Sequence, residues 1–165
     1  MMIICGIDPG TRCTGYGVLD IHASASSLVY IAHGTIRPRA QDIPSRLKEI
    51  FLGTTEIFQE FVPKEIAIES SFHAMNAQSA LKLGQARGAV ILAAMLLDIP
   101  VFEYTPTEIK KATCGYGHAH KDQIYAMVNT ILHLPGELVT SRDASDALAI
   151  GVCHSSSRRF RRLAL

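Results

Sequence analysis

The N-terminal stretch MMIICGIDPGTRCTGYGVLDI, Met1 to Ile21, decides how the rest of the chain is read. Its first eight residues form an apolar run that closes on Asp8, the pattern of a central strand buried on both faces. Pro9-Gly10 punctuates the run. TGYGVLDI then supplies a second strand-like segment, and LVYIAHGTI, Leu28 to Ile36, supplies a third, both rich in β-branched and aromatic residues. The simplest arrangement is a three-stranded meander with Asp8 at the end of its innermost strand.

Outward from the meander, the pattern switches to helices and single strands. Leu47, Ile50, Phe51, Ile57, Phe58 and Phe61 recur near helical spacing, which predicts a first helix from Pro44 to Phe61, stopped by Pro63. KEIAIES alternates, with Ile66 and Ile68 on one face and Ala67 and Glu69 on the other, so it reads as a fourth strand. A long helix from Asn76 to Leu97 follows, carrying Gly84 and Gly88 four apart on one face. Each costs about 1 kcal/mol against alanine, and close approach of another helix, from this chain or a second subunit, is the packing reason they suggest. IPVFEY makes a fifth strand. Pro106 opens a short helix through Lys111, CGYGHAH forms a loop, and Lys121 to Leu132 is helical up to the break at Pro135-Gly136. The last helix, capped by Ser141 or a neighbour, runs to about Ser155. This succession predicts an α/β fold, a five-stranded mixed sheet flanked by helices. One domain over 1–156 is expected, with a basic tail over 157–165.

Composition narrows the functional classes. The 165 residues are 48% hydrophobic and 19% charged, with 16 Lys plus Arg against 15 Asp plus Glu. Such a balance announces no nucleic-acid partner, so a phosphate-binding surface would have to come from local clustering. The cysteines Cys5, Cys13, Cys114 and Cys153 show no C-x-x-C spacing, and no signal-peptide pattern opens the chain, which points to a reducing, cytoplasmic setting. The longest charge-free apolar run, Gly88 to Leu97, is about half of the ~20 residues of a membrane span, so no membrane anchor is expected.

The chemistry lies in acids. In TSRDASDALAIG, Thr140 to Gly151, Asp143 and Asp146 share a helix face with Ala147 and Ile150, the stripe that should point inward. Asp8 and Glu69 each stand at a strand end. Packing the last helix across neighbouring strands would bring four carboxylates together, although singly Asp143 suits a helix N-terminus and Asp8 a turn. Unit charges about 4 Å apart repel by about 4 kcal/mol at an effective dielectric of 20. A divalent cation relieves that repulsion. Carboxylate oxygens without thiolates suit Mg²⁺ or Mn²⁺, and two such ions could activate a water and stabilise the leaving oxygen of a phosphodiester.

Five segments in order carry a family resemblance: GIDPGTRCTGYGV (6–18), IAIES (66–70) followed by Phe72, NAQSALKLGQARGA (76–89), VFEYTPTEIKKATCGYGHAHKDQ (101–123) and RDASDALAIG (142–151). Together they resemble the RuvC-type Holliday junction resolvases, and the likeness spans Met2 to His154. It implies a ribonuclease H-like fold and a homodimer. It implies Mg²⁺-dependent nicking of two opposing strands of a four-way DNA junction, with two ions per site, Mn²⁺ as a substitute, and 5′-phosphate and 3′-hydroxyl ends. It also implies work alongside the RuvA–RuvB branch-migration complex. Asp8, Glu69, Asp143 and Asp146 fall on the family's catalytic acids, and either aspartate of the last helix can ligate or orient a water.

By the same resemblance Lys110 and Lys121 match basic residues near the active centre, and Phe72 matches the aromatic that stacks on an unpaired base. Lys111 shares their basic segment around CGYGHAH. Met75 stands where relatives often carry a basic residue, which bears on junction opening rather than on chemistry. His118 and His120 lack a third ligand nearby and read as loop residues. Arg158, Arg159, Arg161 and Arg162 read either as a contact to DNA backbone or, the preferred reading, as a solvated, mobile tail. Two rivals remain in view. One is a junction-binding module of the same fold without catalysis. The other is an actin-like ATPase fragment, suggested by GIDPGT alone.

Overall fold

The computed structural model describes residues 2–22, 28–70, 76–135, 139 and 141–163, with side chains up to Arg158. Strands β1 (Ile3–Asp8), β2 (Thr14–Ile21) and β3 (Leu28–Ile36) form the antiparallel meander, and β4 (Glu65–Glu69) and β5 (Val101–Tyr104) join it in parallel beyond β1. The order is β3-β2-β1-β4-β5, a mixed five-stranded sheet. The innermost position of β1 follows from its unbroken burial between Ile4 and Ile7. Alternation then sorts each strand's side chains into two cores.

On one face, Cys5, Ile7, Ile66 and Ile68 pack with Ile50, Ile57 and Phe58 of helix α1 (Ile43–Phe61) and Val90 and Ala93 of α2 (Ala77–Met95). On the other, Ile4, Leu19, Ala67 and Tyr104 meet α3 (Pro106–Cys114), α4 (Lys121–Ile131) and α5 (Arg142–Leu163). Helix starts are fixed locally. Asp42 accepts from the Ser45 amide at 2.9 Å, Asn76 from the Ser79 amide at 2.9 Å, and Thr105 with Glu108 forms a capping box for α3. No helix among the described residues is long and apolar enough to cross a membrane.

Several helix ends differ from the sequence expectation, α2 among them, which stops at Met95 instead of Leu97. α3 runs past Lys111 to Cys114, because buried Ile109 and Thr113, four apart, carry the apolar stripe one turn further; Gly115, at φ 84°, ends it. α4 stops at Ile131, before Pro135, with His133 in the left-handed region. α5 does not end near Ser155 but continues to Leu163. The reason is an anchor far away in sequence: the Arg158 guanidinium pairs with Glu65 of β4 at 3.0 Å, so this tail arginine is held against the domain instead of being solvated.

α5 lies unusually close to the sheet. A Cβ built on Gly6 would run into the carbonyl oxygen of Ala147, one on Gly15 into that of Asp143, and one on Gly17 into the Leu148 side chain. These glycines leave the last helix backbone-to-backbone with β1 and β2, at the end of the sheet where Asp8 stands.

Candidate active site

Asp8 closes β1, Glu69 closes β4, and Asp146 projects from the first turns of α5, and all three line one cavity of about 260 Å³. Lys110 of α3 and Lys121 of α4 complete its polar wall, with Pro106, Ile109, Ile124 and Ala149 forming the apolar part. Parallel pairing of β1 with β4 sets Ile7 beside Ile68, so the two strands deliver their terminal acids to neighbouring points. The glycine seam under α5 brings Asp146 down to them.

The charge is unbalanced. Burial, then the carboxylates of Asp146, Glu69 and Asp143, push the Asp8 carboxyl up to about 8, with Lys121 opposing. Lys121 donates to Asp146 at 3.1 Å, and that carboxylate is the main reason the ammonium holds its proton more tightly than usual. Among the described residues, no three Asp, Glu, His or Cys side chains stand as a ready-made cage. The donor set nonetheless fits a hard divalent cation: oxygen ligands only, and burial together with a surplus of negative charge that raises Asp8 until it competes for a proton near neutrality.

Asp143 is turned away from its companions. It acts on Asp8 through space but lines a second cavity, of about 470 Å³, with Gly10, Thr11, Arg12, Cys13, Arg46 and Lys82 among its walls. Burial and the Asp143 carboxylate, which accepts from the thiol, push Cys13 up to about 11. Arg12, Arg46 and Lys82 make no ion pair with a described carboxylate within 4.0 Å. The sequence reading missed these three cations. They come from the β1–β2 turn, α1 and α2, and only the fold gathers them.

Of the other expected contacts, Lys110 and Lys121 reach the acid cavity, whereas Lys111 leans towards Gly117 outside it. Phe72 and Met75 lie outside the described residues. His118 and His120 are exposed in the loop before α4.

Residues 4–154 match the family model described as "Crossover junction endodeoxyribonuclease RuvC". A protein of that description from Shewanella sp. (strain W3-18-1) is 48% identical over 159 residues, covering 96% of this chain and 90% of its own. The one from Citrobacter koseri is 51% identical over 154 residues, covering 93% and 87%. Among solved structures, Thermus thermophilus RuvC in complex with Holliday junction substrate superimposes with a TM-score of 0.89 at 31% identity, over 97% of this chain and 96% of that one. The fold around the acids is therefore the ribonuclease H-like fold of those structures, and the actin-like reading of GIDPGT is set aside. The chain belongs to the RuvC family of crossover junction endodeoxyribonucleases.

Proposed function

We propose that this crossover junction endodeoxyribonuclease hydrolyses one phosphodiester in each of two opposing strands of a four-way DNA junction, using Asp8, Glu69, Asp143 and Asp146 to hold Mg²⁺. When bound, one or two such ions would turn a water into a nucleophile and stabilise the leaving 3′ oxygen, giving 5′-phosphate and 3′-hydroxyl ends. The single observation that carries this reading is the half-buried carboxylate group around Asp8, too negative to remain uncompensated, flanked by two lysines.

The chain's own side chains divide the remaining work. Lys110 and Lys121 neutralise the phosphate at the reacting centre, and Lys121 orients the Asp146 carboxylate through its hydrogen bond. Arg12, Arg46 and Lys82, which form no ion pair with a described carboxylate, hold the same strand's backbone on the far side of Asp143, where their charge supplies affinity without reading bases. Phe72 stacks on a base unpaired at the crossover.

Cutting two strands requires two sites, and α2 carries a surface suited to a second copy. Leu81 (64% exposed), Leu92 (54%), Met95 (54%) and Leu96 (65%) form an exposed apolar stripe along one side of the helix. Gly84 and Gly88 lie within it with open space above them, so no helix among the described residues covers them. A homodimer seated there buries the stripe and explains the glycines. By family resemblance the dimer works with RuvA–RuvB. Its four free cysteines suit the cytoplasm.

The decisive experiment incubates the protein with a synthetic four-way junction and with a linear duplex of the same sequence, with and without Mg²⁺, and maps the cuts. Symmetrical, Mg²⁺-dependent nicks in the junction alone are expected. Tight junction binding without cleavage under any divalent cation would leave only the binding module.

A further inference from the structure

The catalytic acids do not use every polar group buried beneath α5. His154, 1% exposed, is held at both ring nitrogens: Nδ1 lies 2.8 Å from the Tyr104 hydroxyl and Nε2 lies 2.7 Å from the Glu65 carboxylate. Arg158 Nε donates to both Glu65 oxygens, at 3.1 and 3.0 Å. Glu65 only accepts, so Nε2 carries hydrogen, while the tyrosine hydroxyl, able to donate or accept, meets Nδ1 whichever way that hydrogen lies. Arg158 balances Glu65.

Such a network is an expensive way to stabilise a core, because well-packed apolar side chains would generally do as well. Its geometry suggests what it adds. Glu65, Ala67 and Glu69 alternate onto the face of β4 that meets α5. From Glu65 to Glu69 the strand rises about 13 Å. From Asp146 to His154 the helix rises about 12 Å. The two elements therefore form the sides of a frame with matched lengths. The His154–Glu65 contact is the rung at one end, and Asp146 facing Glu69 across the acid cavity is the other. Tyr104 supplies a diagonal. Its backbone is paired with Glu69, its carbonyl accepts from the Ser70 amide at 2.8 Å, and its hydroxyl reaches back to His154.

We propose that the buried relay Tyr104–His154–Glu65–Arg158 is a positioning device that sets α5 against β4 and thereby the separation of Asp146 from Glu69. It rests on the reading above that these acids share a metal site. The tail residue Arg158 is thus part of the active-site support. A slip of α5 along or around its axis breaks the His154 bonds before it disturbs the apolar contacts, so the relay resists the small displacements a metal site cannot tolerate.

The test compares His154→Phe, which keeps the ring contact with Phe102, with His154→Gln, whose amide can still donate to Glu65. Measured are Tm, junction affinity without divalent cation, kcat, and the Mg²⁺ concentration for half-maximal cleavage. In His154→Phe, kcat is expected to fall and the Mg²⁺ requirement to rise by about tenfold each, within the range for losing an outer-shell partner of a metal site. Junction affinity should stay within about twofold, and His154→Gln should recover most of the loss. A folded His154→Phe protein with wild-type kcat and Mg²⁺ requirement overturns the proposal. If His154→Phe does not fold, Tyr104→Phe decides, since it removes only the diagonal's hydroxyl: a raised Mg²⁺ requirement supports the relay and an unchanged one sinks it. Wild-type protein that cuts without any divalent cation would instead defeat the metal-site reading.

Discussion

On the proposed reading, Asp8 meets opposing demands from folding and catalysis. Its carboxyl is pushed up to about 8 from an ordinary 3.8, so the folded state prefers it protonated. That preference adds no penalty below pH 4, and stability is lost as the pH rises from about 4 through about 8, where folding must retain a charged Asp8 among three other carboxylates. Asp8→Asn removes the charge at every pH. In the absence of divalent cations its Tm should match wild type near pH 4 and exceed it by roughly 5 °C at pH 8. Cleavage should fall by 10²-fold or more, on the order of losing a principal electrostatic contact to the transition state, while junction binding persists. Paired thermal melts and nicking assays check both. A variant that cuts at the wild-type rate removes Asp8 from the site.

Lys121 offers the converse case. Its side chain is 69% exposed, so its pair with Asp146 contributes little to stability, about 0–1 kcal/mol. Lys121→Ala should leave Tm within about 3 °C of wild type yet cut the cleavage rate at least tenfold. Equal losses in both would make the lysine a structural residue. The sequence singled out Asp8 and Glu69 as acids at strand ends, Asp143 and Asp146 as acids on one helix face, and Lys110 and Lys121 by their resemblance to the family's basic residues. The company of Asp143 was hidden. Whether its side chain shares a cavity with Asp146 or with Arg12, Arg46 and Lys82 depends on how α5 is rotated over β1 and β2, a tertiary property.

At the scale of elements, the glycines of β1 and β2 do more than permit turns. Gly6 and Gly17 sit in regular strand, where the missing side chains let α5 descend onto the sheet. Gly6→Ala places a methyl group against the Ala147 carbonyl. It should destabilise the fold by at least roughly 1–3 kcal/mol and lower cleavage beyond that, since the helix bearing two acids must lift. Denaturant titration beside single-turnover kinetics separates the two effects. Strand and helix identities were readable from period-2 and period-3.6 patterns in segments such as KEIAIES and Pro44 to Phe61. The C-terminal end of α5 was not. Its last turns depend on Arg158 meeting Glu65, 93 positions away, and no local pattern encodes a pairing of that range.

At the scale of the whole molecule, the exposed stripe on α2 makes the oligomer testable without disturbing the monomer. Gly88 has open space above it, so Gly88→Leu costs the isolated chain little and should even favour the helix. In a dimer the same leucine stands between two surfaces in close contact. Sedimentation velocity should show a shift towards monomer at micromolar concentration, with Tm of the monomer unchanged. Undisturbed dimer would move the interface elsewhere on the surface.

One more property follows from the placement of α5, which touches all five strands as well as α3 and α4. A segment so completely surrounded has no partial route to solvent. Amide hydrogens at residues 147–150 should therefore exchange with deuterium only when the entire native state opens, at the slowest rate in the protein. If the acids of α5 cut as proposed, the cutting geometry rides on the element expected to open last, and loss of activity on heating should mark the loss of the fold itself.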